Sequence, residues 1–171
     1  MKKTILTLIA VLATTVSMSA MNLKEAFNAL SNLPNVSVQK PDYNLPVDAD
    51  MAQTGQLAAA YNLTPQQTEQ TGNATYVILN QIPLSYMING GNNKEVASFI
   101  YATPNQEGSN DVLVVAMSGY RGMVVFLYGT LDNAGVQALQ AAPLNMQGNY
   151  LSLEASMPDG NGFNIILNKA R

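Results

Sequence analysis

The stretch Asp111-Val-Leu-Val-Val-Ala-Met-Ser-Gly-Tyr-Arg-Gly-Met-Val-Val-Phe-Leu-Tyr-Gly-Thr130 decides how this chain can fold. Two β-branched and aromatic runs flank a short segment carrying Gly119 and Gly122, the pattern of a β-hairpin. A two-residue loop at Gly119 and Tyr120 would be a type II′ turn, because glycine reaches positive φ at its first position without steric cost. That loop predicts Ala116 opposite Met123, Val114 opposite Val125 and Leu113 opposite Phe126. One face then carries Val112, Val114, Ala116, Met123, Val125 and Leu127, and the other Leu113, Val115, Met117, Val124, Phe126 and Tyr128. Both faces are apolar, so the hairpin is expected at the centre of a sheet that is covered on both sides by helices, another layer or a partner.

Outward from the hairpin, Leu131–Ala142 carries Asp132 as a helix N-cap with Val136 and Leu139 on its inward stripe. Tyr150–Met157 alternates as a strand, Pro158–Gly162 makes a turn, and Phe163–Lys169 answers as a second strand. Upstream, Lys94–Thr103 alternates Phe99 and Tyr101 against Val96, Ser98 and Ile100, and Pro104–Asn110 is a polar loop. Asn89–Asn93 has turn composition, preceded by a short strand at Leu84–Ile88 and another at Ala74–Leu79. Thr64-Pro-Gln-Gln67 reads as a capping box opening a short helix that ends by Gly72. A helix is expected at Asp50–Tyr61, with Met51, Leu57, Ala58 and Tyr61 inward. Pro41–Val47 is an extended loop, Asn35–Lys40 a short strand, and Leu23–Leu33 a helix with Asn22 as N-cap and Leu23, Phe27, Leu30 and Leu33 on one stripe.

These segments lack the regular βαβ spacing of a parallel sheet. The expected class is α+β, a largely antiparallel sheet of five to seven strands with two or three helices packed on one face. A length of 171 residues with 47% hydrophobic content suits one domain with an ordinary core.

Met1–Ala20 has Lys2 and Lys3, an apolar run from Ile5 to Leu12, and Ser17-Met-Ser-Ala20 at its end. This is the three-part plan of a secretory signal peptide with cleavage after Ser19 or Ala20, leaving residues 21–171 as the mature domain. The run is short for a bilayer span, and no later stretch reaches about 20 apolar residues. An exported protein, periplasmic or secreted, is the expectation, with no membrane span after leader removal.

Charged residues make up only 11% of the chain, and loss of the leader lowers the formal net charge of −3 by two more. With no cluster of Lys or Arg to displace counterions from phosphates, nucleic acid is an unsuitable partner. The chain has no Cys and no His. That removes disulfides, thiolate nucleophiles and metal ligands, imidazole acid/base chemistry and the Ser-His-Asp and Cys-His arrangements. No metal, cofactor or catalytic set is expected. Asp48 and Asp50 read as helix-start acids. Asp159-Gly-Asn-Gly162 lacks the later ligands and terminal Glu of a calcium loop.

The hairpin, then Gly129-Thr-Leu-Asp132, then Val136 and Leu139 on a helix, behind a signal peptide and a helix followed by Val36-x-Val38, resembles small exported bacterial proteins grouped as domains of unknown function. Such proteins often occur as lipoproteins or periplasmic proteins of gut-type Gram-negative bacteria. The resemblance implies an envelope location and supplies no catalytic residue, and the absence of Cys means that it implies no lipid anchor here.

The first functional expectation is a non-catalytic binding or envelope-interaction domain whose partner is a protein or small ligand in the cell envelope. Its candidate surface comprises Tyr120 and Arg121 at the hairpin tip, with Phe126 and Tyr128 if the second hairpin face meets a partner. Tyr and Arg are enriched in interfaces, and Arg121 is the only basic residue between Lys94 and Lys169. The alternatives are a small-ligand carrier with an apolar pocket and a hydrolase built on carboxylates such as Asp111, Asp132 and Glu154. The absence of Trp weakens a sugar cleft, although Tyr can stack on a sugar.

Overall fold

The computed structural model describes residues 20–39, 55–92, 95–141, 144–147, 150–156 and 162–167, with side-chain surroundings given as far as residue 141. The leader through Ser19, the loop at 41–47, the acids at 48–50 and the turn at 158–161 lie outside the described residues.

Strands β1 (Ser37–Gln39), β2 (Gln56–Ala60), β3 (Met87–Asn92), β4 (Ala97–Pro104), β5 (Asn110–Ser118) and β6 (Met123–Leu131) form one antiparallel sheet in the order β1-β2-β6-β5-β4-β3. Strands β7 (Leu144–Gln147), β8 (Tyr150–Ser156) and β9 (Gly162–Leu167) form a second antiparallel sheet in sequence order. The helices are α1 (Leu23–Ser31), α2 (Pro65–Leu79) and α3 (Asn133–Ala141). The fold is therefore α+β with a largely antiparallel sheet. Among the described residues no helix is long and apolar enough to cross a membrane.

The β5–β6 hairpin is the middle of the six-stranded sheet, and the two faces divide as the alternation predicts. Val112, Val114, Ala116, Met123, Val125 and Leu127 belong to one apolar cluster, and Leu113, Val115, Met117, Val124, Phe126 and Tyr128 to the other. The register differs by two residues: Ala116 lies opposite Val125, Val114 opposite Leu127 and Leu113 opposite Tyr128. The connection is the four-residue loop 119–122, in which the Gly122 amide donates to the Gly119 carbonyl at 3.3 Å. Gly122, not Gly119, holds the left-handed conformation, with φ +56°. A slip of two residues leaves every side chain on its predicted face, because the strand period is two.

Helices α1 and α2 share the face that carries Phe126. Leu23, Ala26, Phe27 and Leu30 of α1 and Leu79 of α2 pack there with Ala58, Ala60 and Tyr101, and the Phe27 and Tyr128 rings stack at 5.8 Å. The helices do not all lie on one face as expected: α3 covers the opposite face with Ala138 and Leu139, packed with Leu57, Ile100 and Val125, because that face of the hairpin is equally apolar. Each helix start is fixed by a side chain. Asn22 and Glu25 form a capping box on α1, Thr64 and Gln67 form one on α2, and Asp132 accepts from the Gly135 amide at 2.7 Å on α3.

Several local expectations are corrected. Gln56–Ala60 is a strand rather than part of a helix, and Leu57, Ala58, Ala59 and Ala60 are all buried between β1 and β6. Alanine favours helix locally, but here its small side chain lets α1 approach the sheet, and the ladder on both edges outweighs propensity. Helix α2 runs through Gly72 to Leu79 where a strand was expected, because Thr71, Thr75 and Leu79 recur every four residues on its buried side. Asn89–Asn92 is strand rather than turn. β3 starts after a 3-10 turn at Leu84–Tyr86, passes an irregularity between Met87 and Asn89, and pairs along β4. Glycines are tolerated there because β3 is an edge strand.

Candidate cleft beside the hairpin tip

Where α2 passes the β5–β6 tip and the start of β4, the surface opens into a cleft of about 280 Å³. One wall is a helical stripe: Thr68, Gly72 and Tyr76 line the cleft at four-residue intervals along α2. Ser118, Gly119 and Tyr120 at the hairpin tip also line it, with Asn92 and Glu95 from the β3–β4 connection. The floor is apolar, formed by Val96, Ala97, Met117, Met123 and Val124.

The local chain conformation follows from the tip. The Arg121 amide donates to Ser118 Oγ at 3.3 Å, and the Leu63 amide, two residues before the first residue of α2, donates to the Gly122 carbonyl at 2.9 Å. This last bond ties the helix start to the hairpin loop, so the two are held as one unit. Tyr76 is fixed by an edge-to-face contact with Phe99, ring centroids 5.9 Å apart at 83°. It is 42% exposed, and Tyr120 is 88% exposed.

Of the four residues expected to form an interaction surface, the structure brings Tyr120 to the cleft and places Arg121 half-buried beside it in the loop. Phe126 and Tyr128 are removed from that surface: both are buried beneath α1 and form part of the protein's own core. The second hairpin face is closed by α1 and α2. Tyr76 and Thr68 were missed, because Tyr76 falls in a segment that reads locally as a strand. Extending the capping box at Thr64 through Gly72 would have placed both on one stripe.

The carboxylates considered for hydrolysis have structural partners. Asp111 accepts from Asn105 Nδ2 at 3.1 Å and from the Tyr128 hydroxyl. Burial foremost, then the charge and hydrogen bond of Asp111 and the charge of Glu107, push the Tyr128 phenol up to about 12. Asp132 caps α3, and the side chain of Glu154 lies outside the described residues. Among the described residues no three acidic side chains gather as a metal-binding group would require.

Among the described residues, the cleft lining carries one carboxylate, Glu95, and no Lys or Arg. It is open and mixed in polarity, unlike the enclosed apolar pocket that a carrier of apolar ligands needs. No protein-family model, curated protein or solved structure matches the chain.

Proposed function

We propose that this is an exported, non-catalytic binding domain of the cell envelope, periplasmic or secreted, that engages its partner through the cleft between α2 and the hairpin tip. The observation that carries the reading is that Tyr120, almost fully exposed, lines the same cleft as Tyr76, with the start of α2 tied to the hairpin loop by the Leu63–Gly122 bond. A large exposed aromatic at a rigid tip loses little conformational freedom on binding, which favours a recognition role. The engagement of Asp111 and Asp132 in structural hydrogen bonds supports binding over hydrolysis. The lysine-led, apolar, small-residue leader at 1–20 supports export, and the likeness to small exported bacterial proteins of unknown function agrees with it.

Sedimentation with isolated envelope material from the source cell tests the binding half. The wild-type chain should co-sediment, and a Tyr76→Ala/Tyr120→Ala variant of unchanged circular dichroism should stay in the supernatant. Equal sedimentation of the two would overturn the role of the cleft. Intact mass of protein from the envelope fraction tests export: the chain should begin after Ser19 or Ala20, and a full-length N-terminus there would overturn it.

A further inference from the structure

We infer that Asn89-Gly90 is a self-modification site: when the edge strand β3 opens locally, the Gly90 nitrogen attacks the Asn89 side-chain amide, and the carboxylate that results uncouples β3 from the end of α3. Neither residue lines the cleft, and the site operates with or without a ligand there.

Asn-Gly is the dipeptide in which this attack meets least steric resistance, because glycine carries no side chain beside the attacking nitrogen. The chain has two such dipeptides, Asn89-Gly90 and Asn161-Gly162, and the second begins outside the described residues. Asn89 has a structural task. Its Nδ2 donates to the Leu139 carbonyl at 3.0 Å, 50 residues along the chain. Leu139 belongs to the last turn of α3, where carbonyls have no donor within the helix itself. One side chain thus ties the sheet edge to the helix that covers the Val125 face. The backbone around it is the weak part of the sheet: β3 is an edge strand, its register shifts between Met87 and Asn89, and Gly90, Gly91 and Asn92 are exposed. Local opening of such a strand costs far less than global unfolding.

In the closed strand both reacting groups are engaged, Asn89 with Leu139 and Gly90 opposite Phe99 in the ladder. Opening of β3 releases them together. The Gly90 nitrogen then bonds to Asn89 Cγ, the Cγ–Nδ2 bond breaks, and ammonia leaves with the proton of the Gly90 amide. Water opens the cyclic imide at either carbonyl and gives aspartate or isoaspartate, so the net change is water gained and ammonia lost. Neither product restores the tie. A carboxylate has no hydrogen to donate to the Leu139 carbonyl, and it would stand at the negative end of the α3 dipole. Isoaspartate also lengthens the β3 backbone, out of step with β4. The reaction therefore runs one way and loosens α3 from the sheet edge.

The test is incubation of the purified chain, beside a synthetic peptide covering residues 85–96, at mildly alkaline pH, with the product located by fragment mass and isoaspartate detection. The folded chain should convert at Asn89 about tenfold or more slowly than the peptide, at a rate unchanged by urea too dilute to unfold it. Gly90→Ala, whose added Cβ comes no nearer than 3.4 Å to the Ser98 carbonyl oxygen, should keep the fold and suppress the product. Converted protein, separated by its extra negative charge, should exchange the amide hydrogens of residues 136–141 faster than the starting chain. Asn89→Asp should do the same and melt below Asn89→Ala, which loses the bond without gaining the charge. If Asn89→Asp fails to fold, the converted protein carries the test. Equal rates in chain and peptide, a rate that climbs with dilute urea, or no product when the peptide has fully converted would each overturn gating by β3. Unchanged exchange at the end of α3 in converted protein would overturn the uncoupling.

Discussion

Leu63 and Gly122 meet backbone to backbone: the Leu63 amide donates to the Gly122 carbonyl at 2.9 Å, and the α-carbon of Gly122 is so close that an added Cβ would run into the Leu63 carbonyl oxygen. Gly122 also holds φ +56°, a conformation that costs any L side chain. Two independent penalties therefore fall on one position. Gly122→Ala should destabilise the protein by about 2 kcal/mol or more. Gly119→Ala, with open space and ordinary backbone, should stay within about 0.5 kcal/mol of wild type. Urea unfolding of both variants checks the pair, and the reverse order of effects would show that the turn pivots on Gly119 after all.

Val125 and Phe126 point to opposite faces of β6 and are both buried. An unpaired carboxylate at either position would have to be taken out of water, so Val125→Asp and Phe126→Asp should each unfold the chain. Phe126→Ala, which leaves a cavity beneath α1, should cost about 3–5 kcal/mol. Circular dichroism with size-exclusion chromatography separates the outcomes. A soluble, folded Phe126→Asp protein would contradict closure of that face by α1 and α2.

The alternation of β5 and β6 shows how much of this was legible. Which residues share a face depends only on the period of two, and it survived a loop two residues longer than expected. The loop length did not survive, because it is set by the contact between Gly122 and Leu63, far apart in sequence. β2 and α2 failed in mirror image. The Leu-Ala-Ala-Ala run of β2 has helical propensity but lies between two partner strands, and Thr75, Val77 and Ile78 have strand propensity but continue a helix begun by the Thr64 cap. Tyr120 was visible as a hairpin-tip aromatic. The cleft was not, because its second wall exists only if residues 65–79 form one uninterrupted helix.

Gly72 is open to a stability measurement independent of any ligand. With no atom within 4 Å of a built Cβ, Gly72→Ala should stabilise the fold by about 0.5–1 kcal/mol through helix propensity. Thermal or urea unfolding reads this directly. A loss of stability would mean that the helix needs the glycine for its own packing.

Alkaline pH should weaken the fold before the backbone is otherwise challenged. The Tyr128 phenol is raised to about 12, and burial raises Tyr61 and Tyr101 as well. A raised folded-state value means that the native state holds these protons more tightly than the unfolded chain does. The stabilisation is thus complete below about pH 10, the unfolded value, and is lost as pH rises through about 12. Tyr128→Phe should flatten part of that decline while losing the bond to Asp111 at neutral pH. Stability curves from pH 8 to about 12 test it, and an identical alkaline slope in the variant would assign the loss elsewhere.

The position of β2 also has a consequence for the order of assembly. Its outer edge pairs with β1, close by in sequence, but its inner edge pairs Leu57 with Leu127 and Ala59 with Val125. A chain made from its N-terminus has α1, β1 and β2 in hand long before β6 exists. Until then the alanine run has only its local preference for helix to follow, and Phe27 and Leu30 have no sheet to cover. Completion of the six-stranded sheet therefore waits on the central hairpin, as non-local strand pairing generally makes such steps slower than local ones.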